Sequence, residues 1–331
     1  MHQRLDSLRR RIRASDGADF PALALEVYAY QRAANPTYAE YLRLSGREAI
    51  VPRTWPEIPC LPIGLFRGHD VRSGDWTPET AFRSSGTSGA DTSEMPVRDL
   101  RAYREHCLTT FRRLVGEPGD YTLLALLPGY LERGDSGLVA MVDEFVRLAA
   151  PGSGFFLDDL AGLRAAVAKT RHDGGRVLLW GVTFALLALA GDDPPVLPKG
   201  SLLMETGGMK GRGPELTRAQ LHGALAEAFG VPVYSEYGMT ELSSQAYLTA
   251  GPRFRPADAL RAVARDLTDP FTHLPPGRQG ALDLYDLANV DTCAFLQTDD
   301  LGRVYPDGNF EVLGRADRTV ARGCNLLVSE L

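Results

Sequence analysis

The sequence predicts an α/β fold with a largely parallel sheet, followed by a smaller β-rich part. Between about residues 100 and 234, short apolar segments alternate with segments whose apolar residues recur at helical spacing. Beyond residue 250, short apolar segments are separated by Gly, Asp and Pro turns, which is typical of β-structure. We therefore predict a first domain over 1–250, with a helical N-terminal segment and a ligand-binding α/β core, and a β-rich subdomain over 251–331.

The chain is expected to open with three helices. In the second, Leu23 and Val27 lie at helical spacing, and Asn35-Pro36 ends the pattern. A proline-rich segment over 51–62 follows, and its four prolines exclude a regular helix. The three helices are predicted over 2–14, 20–34 and 37–45.

The elements of the α/β core follow from apolar spacing. An amphipathic helix is expected over 100–115 because Cys107, Phe111 and Leu114 share one face. Residues 121–127 are apolar almost throughout, as in a buried strand. Further strands are predicted over 176–180, 201–205, 231–234, 281–286, 293–297 and 309–313. Further helices are predicted over 137–149, 182–190 and 214–229.

Charge and hydropathy exclude several classes of function. The net charge of -6 argues against a general nucleic-acid or membrane-surface binder, which carries excess Lys and Arg. No apolar run approaches the roughly 20 residues of a membrane-spanning helix, so no membrane span is expected. The basic segment 1–13 lacks the apolar core of a secretory signal.

Four cysteines, Cys60, Cys107, Cys293 and Cys324, lie far apart and form no CxxC pair. Structural zinc is therefore not expected, and reduced thiols in the cytoplasm are the default. The first three have apolar neighbours and are predicted to lie in the core. Only three lysines are present, so a reaction that needs a lysine has few candidates.

The strongest local motif is RSSGTSG at 83–89. Small hydroxylated residues and glycines let backbone N–H groups and hydroxyls surround phosphate oxygens. The motif is not a GxxxxGK P-loop, and a flexible surface linker is the alternative interpretation.

A second motif, YSEYGMTEL at 234–242, follows a predicted strand. Ligands of open α/β sheets usually bind at such strand ends. A tyrosine can stack on a base, a threonine hydroxyl can bond a phosphate, and a glutamate can hold Mg²⁺. The alternative is an ordinary helix start, with Thr240 as N-cap.

Two further segments are weaker. LQTDDLG at 296–302, followed by GRAD at 314–317, offers an aspartate for two ribose hydroxyls, or else two ordinary turns. GGMKGRG at 207–213 places two cations among four glycines, which suits a polyphosphate or an adenine edge, or else forms a turn before a helix.

Together and in this order, these motifs resemble those of the adenylate-forming superfamily, which contains acyl-CoA ligases and peptide-synthetase adenylation domains. Within it, the sequence is most similar to the LuxE-like acyl-protein synthetases, which activate fatty acids for a partner reductase. The similarity extends over most of the chain, including IPCLPIGLF (58–66), METGGMKGRG (204–213), SEYGMTELSSQAY (235–247) and RGCNLL (322–327). It implies the layered α/β N-terminal domain of these enzymes, with ATP and Mg²⁺ as cofactors and a carboxylic acid as substrate.

The resemblance also implies residue roles. Glu241 would bind Mg²⁺, Thr240 would contact the α-phosphate, and Asp300 would hold the ribose hydroxyls beside Arg315. The acyl pocket would lie near the YGMTE segment and the preceding strands. The adenine would be flanked by Gly207, Gly208, Tyr237 and Gly238. The ATP phosphates would be gripped by Ser84, Ser85, Gly86, Thr87, Ser88 and Gly89.

The chain departs from the superfamily pattern in three ways. No lysine follows the phosphate loop, and Thr298-Asp299-Asp300 replaces the usual TGD. The sequence ends soon after GRAD, so the small C-terminal domain with its adenylation lysine is expected to be lacking. Lys210 and Arg212 are the natural substitutes on grounds of charge.

The resemblance implies that Cys324, in RGCN, accepts the acyl group before delivery to a reductase-like or acyl-carrier partner. Arg318 and Arg322, nearby in the sequence, would favour its thiolate, while a buried structural cysteine is the alternative. Two other readings stay open: an acyl-CoA ligase that uses free CoA, and a non-catalytic nucleotide- or acyl-binding delivery subunit. The acid is expected to be a fatty or an aryl acid.

Overall fold

The computed structural model describes residues 2–84, 92–127, 134–207 and 216–315. The helices within this part of the chain are α1 (His2–Ala14), α2 (Phe20–Ala34), α3 (Pro36–Leu44), α4 (Leu100–Leu114), α5 (Gly137–Leu148), α6 (Leu160–His172), α7 (Thr183–Gly191) and α8 (Arg218–Phe229). No helix in it is long and apolar enough to cross a membrane.

The strands are β1 (Leu61–Pro62), β2 (Thr80–Arg83), β3 (Glu94–Val97), β4 (Thr122–Leu126), β5 (Gly154–Phe155), β6 (Val177–Val182), β7 (Leu202–Thr206), β8 (Val233–Tyr237), β9 (Ala246–Leu248), β10 (Arg255–Pro256), β11 (Leu260–Arg265), β12 (Gln279–Asp286), β13 (Phe295–Val304) and β14 (Phe310–Arg315).

The described residues form two compact units. The second unit is continuous, Asp75–Ala257, while the first combines the residues up to Gly74 with those from Asp258 onward. This grouping differs from the predicted division at residue 250, because the N-terminal segment is bonded to the β-rich part. The buried Gln31 side chain donates hydrogen bonds of 3.0, 3.1 and 3.0 Å to the backbone oxygens of Asn289, Val290 and Thr292.

The first unit is built on a five-stranded sheet. Its strand order is β1-β13-β12-β11, with β14 also paired to β13. β1 runs parallel to β13, and the other pairs are antiparallel. The long β13 is therefore bonded to segments from both ends of the chain, which explains why the N-terminal helices belong to this unit.

The second unit contains a seven-stranded sheet of order β10-β9-β8-β7-β6-β4-β5. The strands from β5 to β8 are mutually parallel, and β9 and β10 add antiparallel pairs. β2 and β3 pair separately as an antiparallel ribbon. The parallel sheet predicted over the alternating region is confirmed. The ends of β4, β6, β7 and β8 lie one to three residues from their predicted positions.

Helices cover both faces of the central strands. One face, which we call the α4/α5 face, packs Phe111 of α4 and Phe145 of α5 against Trp180 and Met204 of the sheet. The other, the α6–α8 face, packs Val167, Leu186 and Leu225 of the three helices against Leu179 and Leu203. Strands buried on both faces explain the uninterrupted apolar runs in the sequence.

Cys60, Cys107 and Cys293 are buried, as predicted, and form no disulfide with one another. Burial raises the pKa of the Cys60 thiol well above its ordinary value and that of Cys293 to about 12. A thiol kept protonated by burial is a poor nucleophile, so both behave as apolar core residues. Cys324 lies outside the described residues.

Candidate active site

Two of the predicted ligand-binding segments emerge side by side from the parallel sheet. β7 and β8 are neighbours, with Thr206 opposite Glu236 in the ladder. Gly207 follows β7 directly, and Tyr237 is the last residue of β8. Gly207 has a φ of 78°, a left-handed conformation that glycine adopts without strain. The two segments thus leave the same edge of the sheet, where open α/β sheets bind ligands.

The chain after β8 forms a turn rather than the helix start considered as an alternative from the sequence. The Leu242 N–H donates to the Met239 carbonyl over 3.1 Å. Gly238 is exposed, Thr240 is half-buried and Glu241 is buried at 6% exposure. A buried carboxylate in a turn at the strand end supplies the oxygen donors that Mg²⁺ prefers, so Glu241 fits the implied metal role.

Of the predicted phosphate loop, Ser84 is described, and Ser85, Gly86, Thr87, Ser88 and Gly89 lie outside the described residues. Ser84 follows β2 and forms two hydrogen bonds with Ser93: its N–H donates to the Ser93 carbonyl and its hydroxyl accepts from the Ser93 N–H, both over 3.0 Å. The loop therefore starts from a ribbon position fixed on both sides. Gly208, Lys210 and Arg212 also lie outside the described residues.

Tyr237 is held in an aromatic arrangement on the α8 side of the sheet. Its ring lies 5.8 Å from that of the buried Phe254, centroid to centroid. The guanidinium of Arg218, at the start of α8, lies over the Phe254 ring, 4.6 Å from its centroid. Cation–π contact of this kind contributes about 0.5–1 kcal/mol, so the arginine helps to fix the ring that supports Tyr237.

Arg218 also binds a buried carboxylate in β7, Glu205, which sequence reasoning missed. The Arg218 Nη1 donates to Glu205 Oε1 over 3.1 Å, and the Glu205 side chain is 2% exposed. Burial lowers the pKa of Arg218, and the nearby Glu205 partly offsets that effect. The Ser235 hydroxyl of β8 donates to the same carboxylate, as does that of Thr183 over 3.1 Å.

This network reaches both predicted adenine-flanking segments. The Thr183 hydroxyl lies 3.1 Å from the Gly207 carbonyl oxygen as well as from Glu205. His222 of α8 contacts Ser235, with Nε2 2.8 Å from its Oγ. Glu205 thus connects Gly207, the residue that starts the glycine-rich loop, with Arg218, which lies over the Phe254 ring beside Tyr237. A glutamate inside the apolar strand LLMET was the available sequence signal, because a charged residue is rarely buried unless it is paired.

A second carboxylate, Glu236, lies on the α4/α5 face and was also missed as an individual residue. It is 7% exposed, and its Oε2 accepts a short hydrogen bond from the Thr206 hydroxyl. Burial and the Glu205 charge raise the pKa of Glu236 to about 7, although the Thr206 hydrogen bond acts in the opposite direction. Near neutral pH this carboxyl therefore exists in both protonation states.

Asp300 and Arg315, the predicted ribose residues, lie together in the first unit. They face each other across the β13–β14 ladder, and Arg315 Nε donates to Asp300 Oδ1 over 3.1 Å. Asp300 is buried, while the Arg315 side chain is 75% exposed. The sequence alternative of a turn at DDLG is wrong, because these residues continue β13. PDGN at 306–309 does form a turn, closed by the Tyr305 N–H and the Asn309 carbonyl over 2.9 Å.

The chain matches no protein-family profile, and no curated protein matches it in sequence. Solved structures do share its fold. One is 2-hydroxyisobutyryl-CoA ligase in the postadenylation state with 2-HIB-AMP, at a TM-score of 0.63 and 16% identity, covering 90% of this chain and 68% of the ligase.

Two others are nucleotide complexes. ATP-bound MatB from Rhodopseudomonas palustris has a TM-score of 0.50 at 17% identity, covering 71% of this chain and 47% of MatB. O-succinylbenzoate coenzyme A synthetase (MenE) from Bacillus subtilis, with ATP and magnesium, has a TM-score of 0.51 at 16% identity, covering 72% and 50%. This chain thus spans about half the length of these two proteins. At such identities the likeness establishes the fold alone, which this chain shares with these CoA ligases, and the predicted layered α/β fold class is confirmed.

Proposed function

We propose that this chain activates a carboxylic acid with ATP and Mg²⁺, forming an acyl adenylate, and transfers the acyl group to a thiol. The observation that carries the proposal is the emergence of the Gly207 and Tyr237 segments from adjacent parallel strands of a fold shared with ATP-bound ligases. The motifs at these strand ends are those to which the resemblance described in the sequence analysis gives a nucleotide-binding role.

In the first step a carboxylate oxygen attacks the α-phosphorus of ATP, and the bond to the leaving pyrophosphate breaks. Two anions must meet, so positive charge and orientation are needed. Glu241 would hold Mg²⁺, which would supply charge neutralisation at the phosphates. We assign the phosphates to Ser84 and the loop that follows it, the α-phosphate to Thr240, and the added positive charge to Lys210 and Arg212.

The nucleoside completes this assignment. Tyr237 presents an aromatic ring for the adenine beside Gly207 and Gly208, supported by Phe254. Asp300 provides a buried carboxylate that can accept hydrogen bonds from both ribose hydroxyls, with Arg315 beside it.

In the second step a thiolate attacks the acyl carbon, and AMP leaves with the electron pair. We assign this thiol to Cys324, as in a LuxE-like acyl-protein synthetase that delivers a fatty acyl group to a reductase or carrier protein. Among the four cysteines, the other three are buried in the core, which leaves Cys324 as the candidate nucleophile. Free CoA is the second candidate acceptor, favoured by the CoA ligases that share the fold.

The test measures ATP-dependent pyrophosphate release over a panel of fatty and aryl acids with Mg²⁺, first without CoA and then with it. Release without CoA, together with thioester-linked acyl protein that Cys324→Ser abolishes, is the expected result. Cys60→Ser is the control for nonspecific acylation. Release that requires CoA and is unaffected by Cys324→Ser would assign the acceptor to CoA. ATP binding without release for any acid would reject adenylation in favour of a delivery subunit.

A further inference from the structure

The segment 298–300 forms a bulge in the sheet of the first unit. The β12–β13 ladder shifts register by two residues between the pairs Ala281–Leu301 and Asp283–Gln297. One residue of β12, Leu282, therefore lies opposite three residues of β13. Bulges disrupt the ladder locally, and beside active sites they often re-aim a side chain. The last residue of this bulge is Asp300, the carboxylate assigned to the ribose.

Hydrogen bonds of the Thr298 side chain hold the bulge from within. The Thr298 hydroxyl donates to the Leu282 carbonyl over 2.7 Å and accepts from the Asp300 N–H over 3.1 Å. Thr298 is fully buried and Asp300 is 5% exposed, so water competes little for these bonds. The backbone position of Asp300 therefore depends on the position of Thr298.

Arg265 of β11 holds Thr298 from the far side of β12. β12 lies between β11 and β13, so the Arg265 side chain spans the middle strand. Its Nη2 donates to the Thr298 carbonyl over 2.7 Å. Because a bulge disrupts the ladder, a buried backbone oxygen in it needs a donor from elsewhere, and Arg265 supplies that donor.

The carboxylate of Asp283 orients this guanidinium. Arg265 Nε donates to Asp283 Oδ1 over 2.8 Å, and the two side chains are 12% and 2% exposed. His273 Nε2 lies 3.4 Å from Oδ2 of the same carboxylate. Burial raises the pKa of Asp283, while His273 and Arg265 act in the opposite direction. With a carboxylate at one nitrogen and a carbonyl at another, the planar guanidinium is fixed in orientation.

We infer that Arg265 is a positioning residue for nucleotide binding, because it holds the bulge from which the Asp300 carboxylate accepts hydrogen bonds from the ribose hydroxyls. Arg265 acts through Thr298 and not by contact with the nucleotide. The inference rests on the proposed function, in which Asp300 binds the ribose of ATP.

The experiment compares ATP with 2′,3′-dideoxy-ATP, which lacks both ribose hydroxyls. Dissociation constants are measured by titration calorimetry with Mg²⁺, and pyrophosphate release is measured separately over the acid panel. The variant is Arg265→Met, which keeps a long side chain but removes the donors. Arg261→Met is the matched control on the same strand. The Arg261 guanidinium also donates to backbone oxygens, over 3.1, 2.8 and 3.2 Å, but those of Asp258, Leu260 and Gly17.

We expect the preference for ATP, the ratio of the two dissociation constants, to fall about 5-fold in Arg265→Met, which is the effect of one lost hydrogen bond. Arg261→Met should preserve the ratio. In an Asp300→Asn background, Arg265→Met should cause no further fall, because it acts through that carboxylate. Without any nucleotide, amide protons of peptides covering 298–302 should exchange about 5-fold faster in Arg265→Met and unchanged in Arg261→Met.

Equal weakening of ATP and the dideoxy analogue in Arg265→Met overturns the inference, because the arginine then contributes to stability alone. The same fall of the ratio with and without Asp300→Asn also overturns it. If circular dichroism shows that Arg265→Met is unfolded, the double variant Arg265→Met/Asp283→Leu takes its place. That variant replaces both partners of the buried ion pair by apolar side chains, which often preserves stability, and the same ratios decide.

The two measurements separate this inference from the proposed function. A preference for ATP that depends on Arg265, without pyrophosphate release for any acid, supports the positioning role and rejects adenylation. Pyrophosphate release together with a ratio unchanged in Arg265→Met supports adenylation and rejects the positioning role. A parent protein without any preference for ATP over the dideoxy analogue contradicts ribose binding by Asp300 and overturns the inference.

Discussion

Removing Arg218 should loosen the strand ends that carry the candidate site. Its guanidinium lies 3.1 Å from a Glu205 carboxylate that is 2% exposed, and the Arg218 side chain is 30% exposed. Breaking a buried ion pair by deleting one partner costs about 3–5 kcal/mol, because the other charge stays buried. The Ser235 and Thr183 hydroxyls still donate hydrogen bonds to the carboxylate, and Arg218 is partly solvated. We therefore expect loss of the ion pair to cost about 2–3 kcal/mol of local stability. Loss of the contact over Phe254 adds about 0.5–1 kcal/mol, for a total of about 3 kcal/mol.

Hydrogen exchange followed by mass spectrometry measures this effect locally, which avoids assuming a single unfolding transition for a chain with two compact units. In Arg218→Ala, amide protons of β7 and β8 should exchange about 100-fold faster than in the parent protein. Arg176→Ala is a matched control: Arg176 also lies over an aromatic ring, Tyr121, at 4.8 Å, and pairs with Asp120 at 3.3 Å. Both partners of that pair are exposed, so its loss should cost at most about 1 kcal/mol.

Equal increases in amide exchange around the substituted arginine in the two variants would refute the reasoning. They would show that an ion pair with a buried carboxylate, Glu205, stabilises the protein no more than an exposed pair does. If protection of β7 and β8 falls but the KM for ATP does not rise, the ion pair stabilises these strands. The result would then contradict a role for the pair in positioning the candidate adenine-binding segments.

Three further outcomes follow from the site. Gly238→Ala should lower the free energy of unfolding by about 1–2 kcal/mol, because its Cβ would lie 2.5 Å from the buried, hydrogen-bonded Glu236 carboxyl and displace it. In the same urea titration, Gly223→Ala on the exposed side of α8 should raise that free energy by about 0.5–1 kcal/mol, because its Cβ would meet nothing within 4 Å. The pKa of Glu236 is raised from 4.5 to about 7, so between these pH values the folded state holds a proton that the unfolded chain has lost. The free energy of unfolding should therefore fall by up to about 3 kcal/mol as pH rises through that window. Unfolding measured at pH 5 and pH 8 should show a smaller fall of this free energy in Glu236→Gln, and an unchanged fall contradicts the assignment. Asp300→Asn should raise the KM for ATP about 10-fold and abolish the preference for ATP over 2′-deoxy-ATP, and a retained preference argues against ribose binding by this carboxylate.

Local patterns were sufficient to predict β4, β6, β7 and β8 of the parallel sheet, whereas the two-residue β5 was missed. The helix predicted over 100–115 is α4, because its apolar residues share one face and Asp99 caps its start by accepting from the Ala102 N–H. The alternative of a turn at DDLG is wrong for a non-local reason. Asp299 and Asp300 have turn-forming side chains, but β12 and β14 pair with this stretch and extend β13 to Val304. Partners that arrive from elsewhere in the sequence outweigh local preference.

In the candidate site, too, local sequence predicted some residues, while others become apparent only in the assembled sheet. Gly207 and Tyr237 were placed at strand ends from the sequence, since each follows an apolar strand. Glu205 and Glu236 were missed because their importance depends on which face of the strand each one occupies. One binds Arg218 and the other Thr206, and those contacts are visible only when β7, β8 and α8 are assembled. α6 was also missed, although Asp159 caps it and Leu163 and Val167 form its buried side.

The order of segments in the chain has a consequence for biosynthesis. The first unit is interrupted by a continuous insert of roughly 180 residues, Asp75–Ala257. Buried residues of α2, such as Gln31, therefore leave the ribosome long before their partners around residues 289–294. At about 5–20 residues per second, the delay is on the order of 10–50 s. During that interval the N-terminal helices expose their apolar sides, so the nascent chain offers a binding surface to chaperones until translation reaches β13.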